Sequence, residues 1–101
     1  MKEYRHPDLE TVQLTVVMQA MSDPWRLGIV RSLLEAEGRE FACNEFPMDV
    51  SKATRSHHIQ VLREAGLIRI RVEGTKCMTS LRYDEIEERF PGLLGLAEAT
   101  A

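Results

Sequence analysis

The sequence predicts a mainly α-helical chain with one small β-hairpin, an α+β fold in a single domain of residues 1–101. Three observations predict it. Apolar residues recur at helical spacing along most of the chain, capping residues divide the helices, and the period changes to alternation only in residues 67–83. Apolar residues make up 44% of the chain, enough for a core, yet no stretch approaches the ~18 consecutive apolar residues of a membrane helix.

The first helix is predicted over residues 8–21. Pro7 precedes it, and Asp8 and Glu10 favour the positive end of the helix dipole. Its apolar residues form two stripes on nearly opposite faces, and such a helix is buried on two sides. The first stripe is Leu9, Val12, Val16 and Ala20, and the second is Leu14, Met18 and Met21. In a small domain the second side most simply meets another subunit, and a fully central helix is the alternative.

The second helix is predicted over residues 22–38. Ser22 or Asp23 caps it, Pro24 stands in its first turn, and Gly38 ends it. Residues 40–49 follow and hold at most a short helix, because Pro47 cannot continue one.

The third helix is predicted from an N-cap at Ser51 to a stop at Gly66. At 3.6 residues per turn it has two faces, with Arg55 and Ile59 at their borders. The more apolar face contains Thr54, His58, Val61, Leu62 and Ala65. The polar face contains Lys52, Ala53, Ser56, His57, Gln60 and Arg63.

Residues 67–83 read as a β-hairpin with its turn at "EGTK" and with Arg69 and Arg71 pointing outward. Asp84 is predicted to cap a C-terminal amphipathic helix that breaks or restarts near Pro91. A short helix, a capped helix with a polar outer face and a basic hairpin together predict a winged helix-turn-helix. The apolar face of the C-terminal helix is expected to pair subunits together with the first helix. The residues of this expected interface are Leu14, Met18, Met21, Phe90, Leu93, Leu94 and Ala97.

The charge distribution favours a polyanionic partner. The chain has a net charge of −3, but residues 51–76 hold six basic and two acidic residues, so this segment carries +4 and the rest carries −7. A basic block inside an acidic chain is typical of a local polyanion-binding face, and an uneven surface without a role is the alternative.

The polar face of the third helix suits DNA. N-terminal residues of a recognition helix reach deepest into the major groove, so we expect Lys52, Ala53, Ser56 and His57 nearest the bases. We expect phosphate contacts from Ser51, Arg55, Gln60 and Arg63, and from Arg71, Thr75 and Lys76 in the hairpin. His57 and His58 are adjacent and therefore point about 100° apart, which makes them a poor chelate. His58 is expected to pack in the core.

Three segments resemble the ArsR-type transcriptional repressors. "MQAMSDPWRLGIVRSLL" resembles the opening of that family's second helix, "SKATRSHHIQVLREAGLI" its recognition helix, and "RVEGTKCMTSLR" its wing. The resemblance implies a homodimer that binds a partly palindromic operator in double-stranded DNA and usually represses until an unidentified small-molecule, metal or redox effector releases it. Two cysteines are too few for a disulfide scaffold, so a cytoplasmic protein is expected. Residues 41–45 lack the Cys-x-Cys of metal-sensing members, and residues 84–101 lack histidine, so neither a metal site nor a cofactor is expected.

The two cysteines and the remaining function classes leave alternatives open. Cys43 and Cys77 are the candidates for a thiol sensor, and two half-buried thiols without a role are the alternative. A disulfide between them requires Cα atoms within about 7 Å. The chain has no glycine-rich phosphate loop, HExxH or nucleophile elbow, so an enzyme is not expected. The rival to a DNA-binding regulator is a dimeric winged-helix adaptor that binds proteins.

Overall fold

The structure is a computed structural model, and it describes residues 4–99. It begins with a 3₁₀ helix, Leu9–Thr11, and three strands form one antiparallel sheet in the order β1-β3-β2. The mainly helical fold with a hairpin wing is confirmed. No helix of the described residues is long and apolar enough to cross a membrane. The other elements are α1 Leu14–Met21, α2 Pro24–Glu35, β1 Phe41–Ala42, α3 Lys52–Glu64, β2 Ile68–Glu73, β3 Lys76–Leu81, α4 Tyr83–Arg89 and α5 Leu93–Ala99.

The helix ends that the sequence predicts most sharply are confirmed. The Asp23 carboxylate accepts hydrogen bonds from the backbone N–H groups of Trp25 at 2.8 Å and Arg26 at 3.2 Å, which fixes the start of α2. The Ser51 hydroxyl accepts from Thr54 N at 3.1 Å and so caps α3. Gly66 has φ +83°, the left-handed conformation that ends a helix at low cost when the residue is glycine.

The core lies around α2. Helices α1, α3 and α5 and strand β3 pack against it. Burial of large aliphatic side chains from every layer makes this packing the main source of stability. The fully buried residues include Val17 of α1, Ile29 and Val30 of α2, Leu62 of α3, Ile68 of β2, Ile86 of α4 and Leu94 of α5.

The prediction of one continuous N-terminal helix over residues 8–21 is wrong. Val12 and Gln13 are extended between the 3₁₀ helix and α1, and Gln13 supplies no side-chain hydrogen bond as a cap. The interruption changes the rotation of α1, so Val17 is buried where the sequence pattern predicts Val16. Leu14 and Met18, which are expected at a subunit interface, are exposed in this single chain.

The segment before α3 contains no helix. Phe41 and Ala42 instead form β1, which pairs with Thr79 and Met78 of β3. Pro47 has no N–H to donate to a helix, and the chain reaches Ser51 through turns. The expected short helix is therefore replaced by a third strand on the wing.

The C-terminal helix breaks near Pro91 as predicted, because Gly92 adopts φ +89° between α4 and α5. Asp84 does not cap it: α4 begins at Tyr83, which places Asp84 in the first turn. Of the residues expected at a subunit interface, Met21 and Leu93 are half-buried within this chain. Phe90, Leu94 and Ala97 are buried in the core of this chain.

Candidate nucleic-acid interface

The predicted division of α3 into a buried and an exposed face is observed in part, because Thr54, which was predicted on the more apolar face, is exposed. His58, Ile59 and Leu62 face the core, including Ile59, which the pattern placed at a border. Arg55 and Arg63 are half-buried beside the exposed face. The exposed residues of this face are Lys52, Ala53, Ser56, His57 and Gln60.

His58 fixes how α3 sits on α2. Its Nδ1 lies 3.2 Å from Nη1 of Arg26 and 4.0 Å from a carboxylate oxygen of Asp23. Because a guanidinium can only donate, this ring nitrogen accepts. The same arginine donates from Nε to the Ala20 carbonyl at 2.6 Å. The inward histidine predicted from the sequence thus joins α3 to the end of α1 and the capped start of α2.

The two halves of the exposed face of α3 differ in what their side chains contact. Among residues 4–99, Lys52 makes no ion pair, and Ser56 and His57 are exposed. Farther along, Gln60 donates to the Glu64 carboxylate at 2.7 Å, and Arg63 donates to the Arg5 carbonyl at 2.7 Å. The N-terminal half of α3 is therefore the half that is open to another molecule.

The arginines of the wing are bound to carboxylates. Nε of Arg71 donates to both carboxylate oxygens of Glu40, at 3.0 and 2.8 Å, and its Nη2 lies 3.3 Å from Glu73. The hydrogen bond from Arg71 lowers the pKa of Glu40 below its usual range. Arg69 pairs with Glu85 at 3.1 Å. Arg69 and Arg71, the two arginines that the sequence predicts to point outward, are therefore paired with carboxylates of the same chain.

Thr75 and Lys76 stand at the tip of the wing and are exposed. They flank the reversal between β2 and β3, where Gly74 takes φ +62°. Lys76 lies opposite Glu73 in the strand register. In sequence, the tip is the part of the wing farthest from α3 and α4. It carries the exposed basic side chain of Lys76.

The segment before the 3₁₀ helix makes contacts with the wing that the sequence pattern did not predict. Nε2 of His6 accepts a hydrogen bond of 2.9 Å from the N–H of Ile70, which lies on an edge strand. Arg82 is buried and donates to the Pro7 carbonyl at 2.8 Å and to Glu85 at 2.6 Å. The hydrogen bonds from Arg82 lower the pKa of Glu85 to about 2. No local pattern indicates these long-range contacts.

Cys43 and Cys77 are joined by a disulfide, and their Cα atoms lie 5.6 Å apart. The bond lies in a cleft of about 670 Å³ between α3, the sheet and the N-terminal segment. Lys52, Ser56 and Gln60 line the same cleft. A change at the cysteines would therefore occur beside the exposed face of α3.

The donor set for a metal is poor in the described part of the chain. Residues 4–99 contain no group of three or more histidine, cysteine or acidic side chains arranged to hold an ion. The rings of His57 and His58 have centroids 6.0 Å apart, and His57 is exposed whereas His58 is buried.

Exposed apolar side chains on α1 and α5 form a second surface, and its member Val16 lines the same pocket as His57 of α3. On α1 it comprises Leu14, Val16 and Met18, of which Met18 is 54% exposed, and on α5 it includes Leu96 at 64%. Both helices pack against α2. Large apolar side chains grouped in this way are typical of a protein–protein contact.

Comparisons with known proteins agree with this geometry. Residues 21–71 match the model of a family described as Helix-turn-helix domain. The HTH-type transcriptional regulator YceK of Bacillus subtilis is 38% identical over 80 residues, which cover 77% of this chain and 79% of YceK. Reduced HlyU from Vibrio cholerae is 26% identical, with a TM-score of 0.65 and 81% of each chain covered. The ArsR family transcriptional regulator RHA00566 has a TM-score of 0.66 at 22% identity, covering 74% of this chain and 81% of its own.

Proposed function

We propose that this chain, which belongs to the helix-turn-helix family of transcriptional regulators and has the ArsR-type winged fold, is a homodimeric repressor that binds a specific operator. Its relatives are regulators of transcription and not enzymes, so DNA binding is the activity of the family. The observation that carries the proposal is the N-terminal half of α3. Its cap is formed, its apolar side is buried, and its polar side is exposed without ion pairs among the described residues.

In this proposal the first two turns of α3 read the bases. Ser56 and His57 can donate or accept at base edges, Lys52 can pair with guanine, and Ala53 allows close approach. The Ser51-capped end of α3 offers backbone N–H groups to a phosphate. The remaining proposed phosphate contacts are Arg55, Gln60 and Arg63 of α3 and Thr75 and Lys76 of the wing, and Arg71 contributes only to the extent that Glu40 releases it.

The proposed dimer uses the exposed apolar surface of α1 and α5. Leu14 and Met18 are the exposed members of the predicted interface, and Val16 and Leu96 extend it. The other residues of the predicted interface are buried or half-buried, and we propose that they pack under this surface and hold it in place. They are Met21, Phe90, Leu93, Leu94 and Ala97. Two copies of α3 would then enter successive major grooves about 34 Å apart. Because its operator lies on the chromosome, we place the dimer in the cytoplasm.

The test is fluorescence anisotropy of the purified protein with the duplex that lies upstream of its own coding region. We expect tighter binding to this duplex than to a random one, and an affinity that falls as salt rises, because bound phosphates release counterions. Equal binding to a panel of upstream duplexes and to random DNA would contradict sequence-specific recognition. Absence of salt-sensitive binding to any duplex would favour the adaptor, which the paired arginines of the wing also allow.

We propose the Cys43–Cys77 pair as the site through which a redox effector acts on DNA binding. Two thiols reduce one hydrogen peroxide to two waters and are themselves oxidised to the disulfide. The bond ties β1 to β3 beside Lys52 and Ser56. We expect the operator affinity to differ between reduced and peroxide-treated protein, and the Cys43→Ser/Cys77→Ser variant to lose that difference. An equal response in this variant would exclude the pair as the sensor.

A further inference from the structure

The outer face of the sheet brings Glu40 and Arg71 together across β3. Ile70 and Phe41 both pair with Thr79, one from each side. Because side chains alternate along a strand, the residues next to these two, Glu40 and Arg71, project from the opposite face of the sheet. The strand that the sequence did not predict is thus what delivers a carboxylate to the wing.

The contact between the two side chains is close and directional. The Arg71 guanidinium donates from Nε and from Nη2 to the Glu40 carboxylate, and Glu73 supplies a second carboxylate at 3.3 Å. Arg71 is 51% exposed and Glu40 is 28% exposed, so solvent and ligands still reach the arginine. An exposed ion pair of this kind contributes little to stability. Its main effect is therefore to neutralise the charge that Arg71 presents to a ligand.

Strand β1 is held in place, so Glu40 does not depend on Arg71 for its position. Cys43 donates from its N–H to the Cys77 carbonyl at 2.9 Å, and a disulfide joins the same two residues. Both contacts lie three residues beyond Glu40. Because the backbone near Glu40 is held in this way, its carboxylate stays close to Arg71 and competes with a phosphate for that side chain.

We propose that Glu40 is an affinity-setting residue, which weakens the sequence-independent part of DNA binding by occupying Arg71. This inference rests on the proposed function of DNA binding. A phosphate contact raises the affinity for every duplex and carries no sequence information. Removing one such contact from the wing lowers the affinity for every duplex by the same factor and leaves the discrimination made by α3 intact. Glu40 therefore acts through Arg71 and touches no base.

The experiment compares Glu40→Gln with wild type on a random duplex and on the preferred duplex, between about 50 and 200 mM salt. The control is Glu88→Gln, an exposed α4 residue whose substitution changes the net charge equally. We expect Glu40→Gln to bind both duplexes more tightly than wild type. The slope of log affinity against log salt concentration should steepen by about 0.9, which adds a further fall in affinity of about 3.5-fold over this range. Glu88→Gln should match wild type.

The variant Glu40→Gln/Arg71→Gln identifies the arginine as the group that is released, and it should return to the wild-type salt dependence. The inference is overturned if Glu40→Gln has the wild-type slope, if Glu88→Gln gains as much, or if the gain persists without Arg71. A wild-type protein that binds no duplex overturns the proposed function together with the inference. A wild-type protein that binds while Glu40→Gln changes nothing overturns the inference alone.

Discussion

The N-terminal half of α3 and the outer face of the wing both present basic side chains, but only the first presents them without partners among residues 4–99. Lys52 makes no ion pair there, whereas Arg71 is bound to Glu40 and Arg69 to Glu85. The two carboxylates lie outside the segment of residues 51–76 that carries the net charge of +4. Counting charge along a segment therefore overstates how much of that charge a phosphate can use.

The difference implies that α3 and the wing have separate roles in DNA binding. The helix offers polar side chains of several hydrogen-bonding types, which can distinguish base pairs. The wing offers a paired surface with a basic tip, which can adjust affinity without distinguishing sequences. Variants of matched size in the two regions test whether recognition is separated in this way.

The largest expected effect is on operator preference. Ser56→Ala with His57→Ala should abolish the preference over random DNA, a loss of about 2–6 kcal/mol if each side chain makes one base contact. Anisotropy on the two duplexes measures the preference, and size-exclusion chromatography checks that the dimer persists. Both residues are exposed, so the fold should be unaffected.

The matched control lies on the wing. Thr75→Ala with Lys76→Ala also removes one hydroxyl and one basic or titratable group from exposed positions. This variant should weaken binding to both duplexes by the same factor and leave their ratio unchanged. A wing variant that loses operator preference, or a helix variant that keeps it, would contradict the proposal that α3 sets sequence preference and the wing only affinity.

The next effect is on stability, and it compares the end of α3 with the tip of the wing. Gly66 ends α3 with φ +83°, and a Cβ there would lie 2.5 Å from Cδ2 of Leu9. Gly74 has φ +62° and nothing within 4 Å of such a Cβ. We expect Gly66→Ala to lower the free energy of unfolding by about 2–4 kcal/mol, from backbone strain and overpacking, and Gly74→Ala by about 1–2 kcal/mol from strain alone.

Urea denaturation at fixed pH measures both values. Because Gly66 N donates to the Arg63 carbonyl and Leu67 N to the Leu62 carbonyl, the turn after α3 also sets where β2 begins. Equal losses for the two variants would show that Leu9 moves aside freely and that only backbone strain matters.

Local signals account for what the sequence predicted well. The caps at Asp23 and Ser51 and the stop at Gly66 each depend on residues at most a few positions away, and all three are observed. The resemblance to ArsR-type regulators is confirmed as well, since three separate segments carried it. The buried and exposed sides of α3 followed from helical periodicity alone.

Long-range pairing accounts for what the sequence did not predict. Glu40 and Arg71 are 31 positions apart, and His6 and Ile70 are 64 positions apart. A two-residue strand such as β1 has no period of its own, and its partner β3 determines it. Lys52, Ser56 and His57 of α3 are exposed and Arg55 and Arg63 are half-buried, but no pattern in the chain reveals which charges on the wing are already paired.

The smallest expected effect is a pH dependence of stability that comes from His6, whose ring contacts the edge strand of the wing. Burial, together with the charges of Arg69 and Arg82, lowers the pKa of His6 below its ordinary 6.5, so the folded state binds its proton less readily than the unfolded state. Stability from this group is complete above pH 6.5 and falls as the pH drops through the lowered value. Protonation converts Nε2 from the acceptor of the Ile70 N–H into a donor, a loss of about 1 kcal/mol.

Thermal unfolding across this pH range should therefore show a midpoint that falls on acidification in wild type. His6→Gln, which cannot titrate, should flatten that fall, and the exposed control His57→Gln should retain it. A slope that disappears in the His57 variant, or that survives in the His6 variant, would place the titrating group elsewhere. The expected result would show that the N-terminal segment supports the edge strand of the wing through a neutral histidine. The position of α3 depends instead on its own cap and on buried His58.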